Sequence, residues 1–231
     1  MRRFARGLLA PAALLLAVLL AYLAVAASWA RLCVDELLAR QPAAVHAPLS
    51  PRQRAILLKI EDPTFYTHPG LSLADGQGVA TISSAVARDL FLYDGRLGGI
   101  KGALQGLYRG VFECCKKIDL GRDMMALVLD ARVSKERLLA MYVAGVYMGR
   151  HEGRQVRGLE QAAQAYLGKP LAALDEGEMA GLVAMIKAPN DYHPVRNPAA
   201  YAARLARVRA VLAGQCRPSG WLDTDYAHCA R

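Results

Sequence analysis

Ile60-Glu61-Asp62-Pro63-Thr64-Phe65-Tyr66-Thr67-His68-Pro69-Gly70 is the stretch on which the reading of this chain turns. It begins where an apolar helical pattern (Ala55, Ile56, Leu57, Ile60) runs out, and it passes through two prolines, a histidine and a glycine. Such a change of composition marks a helix ending in a tight turn. Ten residues upstream, Ser50 followed by Pro51 predicts the helix start. Serine caps the first free N–H groups, and proline fits the first helical position, where its missing N–H costs nothing. A carboxylate pair at a helix end, here Glu61-Asp62, is by itself ambiguous between a cap, a solvated surface and acid–base chemistry.

Upstream of this helix, residues 41–50 read as a linker, with Pro42 and Pro48 among small residues. Before the linker, no charged residue occurs between Arg6 and Arg31, and residues 7–30 are mostly Leu, Ala and Val. As a helix this run spans about 36 Å, enough to cross a bilayer. Arg2, Arg3 and Arg6 precede it, so the positive-inside rule leaves the N-terminus cytoplasmic and the remainder outside. A cleaved signal peptide is the competing reading, with a small-residue site at Ala24-Val25-Ala26. The run exceeds a usual signal core, and its helical pattern continues over 31–40, which favours an uncleaved anchor covering 1–40. No second apolar run of that length follows, so the chain is expected to cross once.

The 231 residues leave room for this anchor and one domain, and the anchor accounts for much of the 54% hydrophobic content. The formal charge of +9 suits nucleic acid, an anionic membrane surface or an anionic ligand such as pyrophosphate. The anchor argues against nucleic acid. None of the five cysteines forms a zinc-type array, and the five histidines lack ligand spacing. Cys216 and Cys229 could close a loop in an oxidising compartment. Cys114-Cys115 reads as helix packing rather than a vicinal disulfide.

Downstream, residues 81–92 predict a second apolar helix, and 122–148 a helical stretch interrupted at Val133-Ser134. Between them, the basic, glycine-punctuated segment 94–110 suits either a piece lying on a membrane surface or an ordinary loop. Asp175 with Glu178 forms a capping box, and Asn197-Pro198 opens a last helix that stops at Gly214. Alternating strand patterns and internal repeats are absent. The expected fold is all-α, with a domain over 51–214 and a tail over 215–231.

Five fixed residues of the opening stretch fit Glu-Asp-x-x-Phe-x-x-His-x-Gly, and in this the chain resembles glycosyltransferase family 51, the peptidoglycan glycosyltransferases. Thr81-Ile82-Ser83 through Arg88-Asp89 resembles the family's second signature. Asp130 to Tyr142, Gly158 to Lys169, and Glu178 to Tyr192 resemble its later ones in order. The resemblance implies a lysozyme-like helical domain on the periplasmic side of the bacterial inner membrane. It implies polymerisation of lipid II by inverting transfer, with polyprenyl pyrophosphate leaving. The partners implied are lipid II, the growing glycan chain, the membrane and other cell-wall synthesis proteins, with no nucleic acid. With no transpeptidase domain after residue 231, a monofunctional enzyme is expected.

By the same resemblance Glu61 is the general base, and Phe65 and His68 organise the turn. Arg88, which stands where the family has Lys, is expected at the pyrophosphate, with Lys116, Lys117 and Arg132 as further cations. Thr81 and Ser83 are expected in substrate binding, and a divalent cation (Mg or Mn) is implied by family likeness alone. The chain departs from the family pattern where a second glutamate is expected. A gapless register puts Arg122 there, and a register displaced by one turn offers Asp119 as the second catalytic carboxylate. Ala80, Ser84, Ala85 and Ala144 depart as well, and the stretch from Gly70 to Gly78 is short. The alternatives are a family member that binds lipid II or cell-wall machinery without turnover, or a lysozyme-like hydrolase.

Overall fold

The computed structural model describes residues 2–41, 49–78, 80–114 and 119–230. Among these residues are nine α-helices, one π turn, two short 3₁₀ turns and one short hairpin, a mostly helical fold as the sequence predicts. The first helix, α1 (Arg2–Arg40), is unbroken over 39 residues, and it is the one described helix long and apolar enough to cross a membrane. Leu14, Leu15, Leu16, Val18 and Leu20 project freely from its middle. Its last third behaves differently. Ala26, Trp29, Ala30, Cys33, Val34 and Leu37 are buried at 3% exposure or less, packed on α5 (Leu120–Asp130) and α4 (Gly99–Cys114).

Local chemistry sets the helix starts. Ser50 and Gln53 form the reciprocal capping box that opens α2 (Pro51–Glu61). Thr81 and Ser84 do the same for α3 (Ile82–Arg88), and Asp175 and Glu178 for α8 (Glu176–Ile186). Ser134 caps α6 (Lys135–Gly145), and Asn197-Pro198 opens α9 (Pro198–Leu212). α5 packs against α1, α3 and α4; α8 packs against α2, α7 (Leu159–Leu167) and α9. Contacts of α6 with α3 and α7 join these two groups.

Two expectations are corrected. The glycine-punctuated segment is not a loop: α4 is a 16-residue helix. Tertiary contacts override its poor propensity. Tyr108 is buried against Trp29 with ring centroids 5.4 Å apart, and the Gln105 amide donates to Phe91 O and Gly95 O. The helical reading also ran too far at its C-terminal end. Past Gly145 the chain forms β1 (Tyr147–His151), paired antiparallel with β2 (Arg154–Arg157) through a turn at Glu152-Gly153, both with positive φ. Strands of five and four residues are too short for alternation to register. After α3, the helical path widens into one π turn over Asp89–Tyr93.

Candidate active site

The Glu61–Gly70 turn is fixed from within. Asp62, fully buried, accepts from His68 Nε2 with both oxygens at 3.0 Å and from the Ile82 N–H at 2.9 Å. His68 Nδ1 accepts from Gly70 N, so the ring proton sits on Nε2 and is directed at Asp62. Gly70 has φ +120, and a Cβ there would lie 2.9 Å from Ala126 O, so only glycine passes this close to α5. Lys135 stands 4.8 Å over the Phe65 ring and donates to His68 O. Asp and His therefore bind the end of α2 to the start of α3, which leaves Glu61 as the motif's one carboxylate facing the cleft.

That cleft has a volume of about 1190 Å³. Glu61 lies in it with Arg88 of α3, Asp89 of the π turn and Asp94 just past it, Arg137 and Tyr142 of α6, Arg157 of β2, Lys187 past α8, and Arg40-Gln41 at the end of α1. Five basic side chains thus meet three acidic ones. Tyr142 donates to Glu61 Oε2 at 3.2 Å. Burial pushes the Glu61 carboxyl up to about 7, against the pull of Arg204, the Tyr142 hydrogen bond and Lys187. Arg88 pairs with Asp89 at 2.7 Å, and Arg157 stands 4.0 Å from the same carboxylate. Asp94 is pushed up by burial and by the nearby Asp89 charge.

Of the residues singled out in the sequence, the cleft brings together Glu61 and Arg88. Asp119 requires a correction of position. It is 3% exposed, caps α5 by accepting from Arg122 N at 3.1 Å, and stands near Tyr22 of α1, outside the cleft lining. Arg122 is also buried there, with its guanidinium 2.6 Å from Asp123. The hydroxyls of Thr81 and Ser83, expected to face substrate, are engaged internally: Thr81 caps α3 and donates to Gly70 O, and Ser83 donates to Asp130. Arg132 is half-exposed, 3.9 Å from Asp35 of α1. Lys116 and Lys117 lie outside the described residues, as does Cys115. Cys114 is exposed at the end of α4.

The sequence reading assigned no site role to Tyr142, Lys187, Arg157 or Arg137, although Tyr142 stood within a matched signature. It also passed over Arg204 and Tyr226, buried behind Glu61. The disulfide Cys216–Cys229 is formed. Among the described residues, only Cys216, His228 and Cys229 bring three potential metal ligands together, and two of those sulfurs are bonded to each other. No such group lines the cleft.

Fold and site define a helical, lysozyme-like domain whose half-buried Glu61 carboxylate faces a basic cleft next to an apolar N-terminal helix. Residues 114–213 match the family model described as Transglycosylase. The chain is 33% identical over 156 residues to penicillin-binding protein 1B of Buchnera aphidicola, covering 62% of this chain and 19% of that one. Against penicillin-binding protein 1B of Escherichia coli the figures are 32% over 156 residues, 62% and 16%. Penicillin-binding protein 1F of Bacillus subtilis is 30% identical over 163 residues, 69% and 21%. The chain spans about a fifth of the length of these relatives. Together these matches support a transglycosylase-like member of the glycosyltransferase 51 family.

Proposed function

We propose that the chain is a membrane-anchored peptidoglycan glycosyltransferase with Glu61 as its general base. The observation that carries this reading is Glu61 itself, a cleft carboxylate pushed up to about 7, where a base is poised for proton transfer near neutral pH. In the reaction proposed, the 4-hydroxyl oxygen of one lipid-linked disaccharide attacks the anomeric carbon of a growing strand. The new C–O bond forms as the bond to polyprenyl pyrophosphate breaks. The electron pair goes to the pyrophosphate and the hydroxyl proton to Glu61. Tyr142 keeps one carboxylate oxygen oriented while the other receives the proton. Arg88, Arg157 and Lys187 supply positive charge for the leaving group, and Arg can take two phosphate oxygens at once.

The cleft residues do not fit the implied divalent cation as a protein-held cofactor, since Asp89 is engaged by Arg88 and, among the described residues, no set of three ligands converges in the cleft. No step is routed through one. The arginines at the N-terminus favour an anchor with the domain on the outer face of the inner membrane.

A binding role without turnover is the second reading, favoured by one observation. Asp119 lies outside the cleft, so Asp89 and Asp94 are the cleft's remaining carboxylates among the described residues. Incubating purified full-length protein with lipid II separates the two readings. Polymer that disappears in Glu61→Gln supports the transferase, whereas lipid II binding without polymer at any pH supports the binding role.

A further inference from the structure

The end of α2 carries Glu61, and a helix end leaves carbonyls without intrahelical partners. Two of these are taken by side chains from outside the helix. Tyr226 OH donates to Ile60 O at 3.1 Å, and Gln77 Nε2 donates to Glu61 O at 3.2 Å. Gln77 sits in the short loop after Gly70, and that loop is itself pinned: Gly76 N donates to Gly220 O at 3.0 Å and Gly78 N to Trp221 O at 2.8 Å. The approach leaves no room for side chains. A Cβ at 76 would lie 2.6 Å from Pro218 Cγ, and one at 78 would lie 2.8 Å from Thr224 Cγ2; both glycines have φ near +70. Both bonds on the α2 terminus therefore trace back to residues 218–226, which the Cys216–Cys229 disulfide closes into a loop.

The same loop holds the cations that face Glu61. Arg204, 1% exposed, donates to Thr224 O and Asp225 O and lies 4.9 Å from the Tyr226 ring. The Asp225 carboxylate pairs with Lys187 at 2.7 Å and accepts from Tyr192 at 3.0 Å. Tyr226 adopts φ +51, a conformation that a bulky residue keeps only when its surroundings over-determine it. Here the ring is pinned by Arg204 and the hydroxyl by α2. The loop begins past residue 213, where the family match ends.

We propose that the disulfide-closed loop 216–229 positions Glu61 for catalysis, with Tyr226 and Gln77 as positioning residues on the end of α2. The positional claim rests on the geometry alone, and its catalytic consequence rests on reading Glu61 as the base. The test uses full-length protein in lipid nanodiscs and follows amide hydrogen exchange in the Cys216→Ser/Cys229→Ser variant. The Gly76 and Gly78 amides should exchange at least roughly tenfold faster than in wild type while α5 and α6 keep their protection. Acceleration confined to residues beyond 213 would overturn the proposal. If that variant fails to fold, Tyr226→Phe keeps the disulfide and removes one hydroxyl. It should lower kcat by about tenfold with KM unchanged, because a misplaced base weakens only the transition state. An unchanged kcat overturns the positioning role. Wild-type protein that makes no polymer refutes the reading of Glu61 as base, and the exchange result still decides the brace.

Discussion

Glu61 carries opposite signs for chemistry and for stability. Its carboxyl is held at about 7 by burial, whereas the unfolded chain releases that proton near 4.5. Between those values the folded protein binds a proton that the unfolded chain has lost. The stabilisation is complete below the unfolded value and disappears as pH rises to about 7. Turnover needs the ionised form, so its acid limb should rise through about 7. Glu61→Gln should cut turnover by roughly 10²–10⁴-fold. At pH 8 the same variant should be more stable by about 1–3 kcal/mol, read as a higher Tm, because it buries no charge. A less stable glutamine variant would contradict the assigned cause of the shift. Asp119, by contrast, is a helix cap. Asp119→Ala should cost about 1 kcal/mol in a denaturation experiment and leave kcat within a few-fold. A loss as deep as that of Glu61→Gln would restore it to the chemistry. The sequence made Glu61 legible because its motif is local, ten residues from helix end to glycine. Arg204 and Tyr226 come up behind the same end of α2 from far along the chain, and nothing in their own surroundings signals it.

The elements that sequence patterns announced best were those with caps: Ser50, Ser134 and Asp175 start helices where their side chains accept a backbone N–H. The patterns failed where a distant partner decided the outcome. α4 carries glycines that disfavour a helix, yet Trp29 and Tyr22 of α1 pack their rings on Tyr108 and hold it. The Trp29 indole also donates to Lys101 O, and Lys101 pairs with Glu36 at 2.9 Å. An apolar run of this length reads as anchor throughout, since its hydropathy does not distinguish lipid from protein as the neighbour. The last third of α1 is core. Trp29→Ala should therefore destabilise the domain by about 3–5 kcal/mol, measured by denaturant unfolding in detergent. Truncation before Gln41 should give an insoluble product rather than a trimmed enzyme. A soluble, protease-resistant fragment starting at residue 41 would show that α1 is dispensable to the fold.

Over the whole molecule, two groups of helices, around α5 and around α8, meet along the cleft, and their charges are unevenly shared. The basic residues there come from α1, α3, α6, β2 and the end of α8, so no single segment of sequence displays the positive lining as a cluster. In the sequence only Arg88 and the overall +9 hinted at it. Removing two of these charges, Arg88→Ala with Arg157→Ala, should weaken inhibition by inorganic pyrophosphate by about tenfold, and raised salt should narrow the gap between variant and wild type. An unchanged inhibition constant would put the pyrophosphate elsewhere. α1 itself is about 58 Å long at 1.5 Å per residue. Its exposed apolar middle and its buried last third are one continuous rod, and Arg40 and Gln41 at its tip form part of the cleft wall. A domain on a slack tether would drift up and down over the bilayer and meet a lipid-borne sugar at whatever altitude chance allowed. Under the anchoring and activity proposed above, the rod is a depth gauge: the height of Glu61 above the headgroups would be written into the helix, and only a sugar presented at that one elevation would come level with the base.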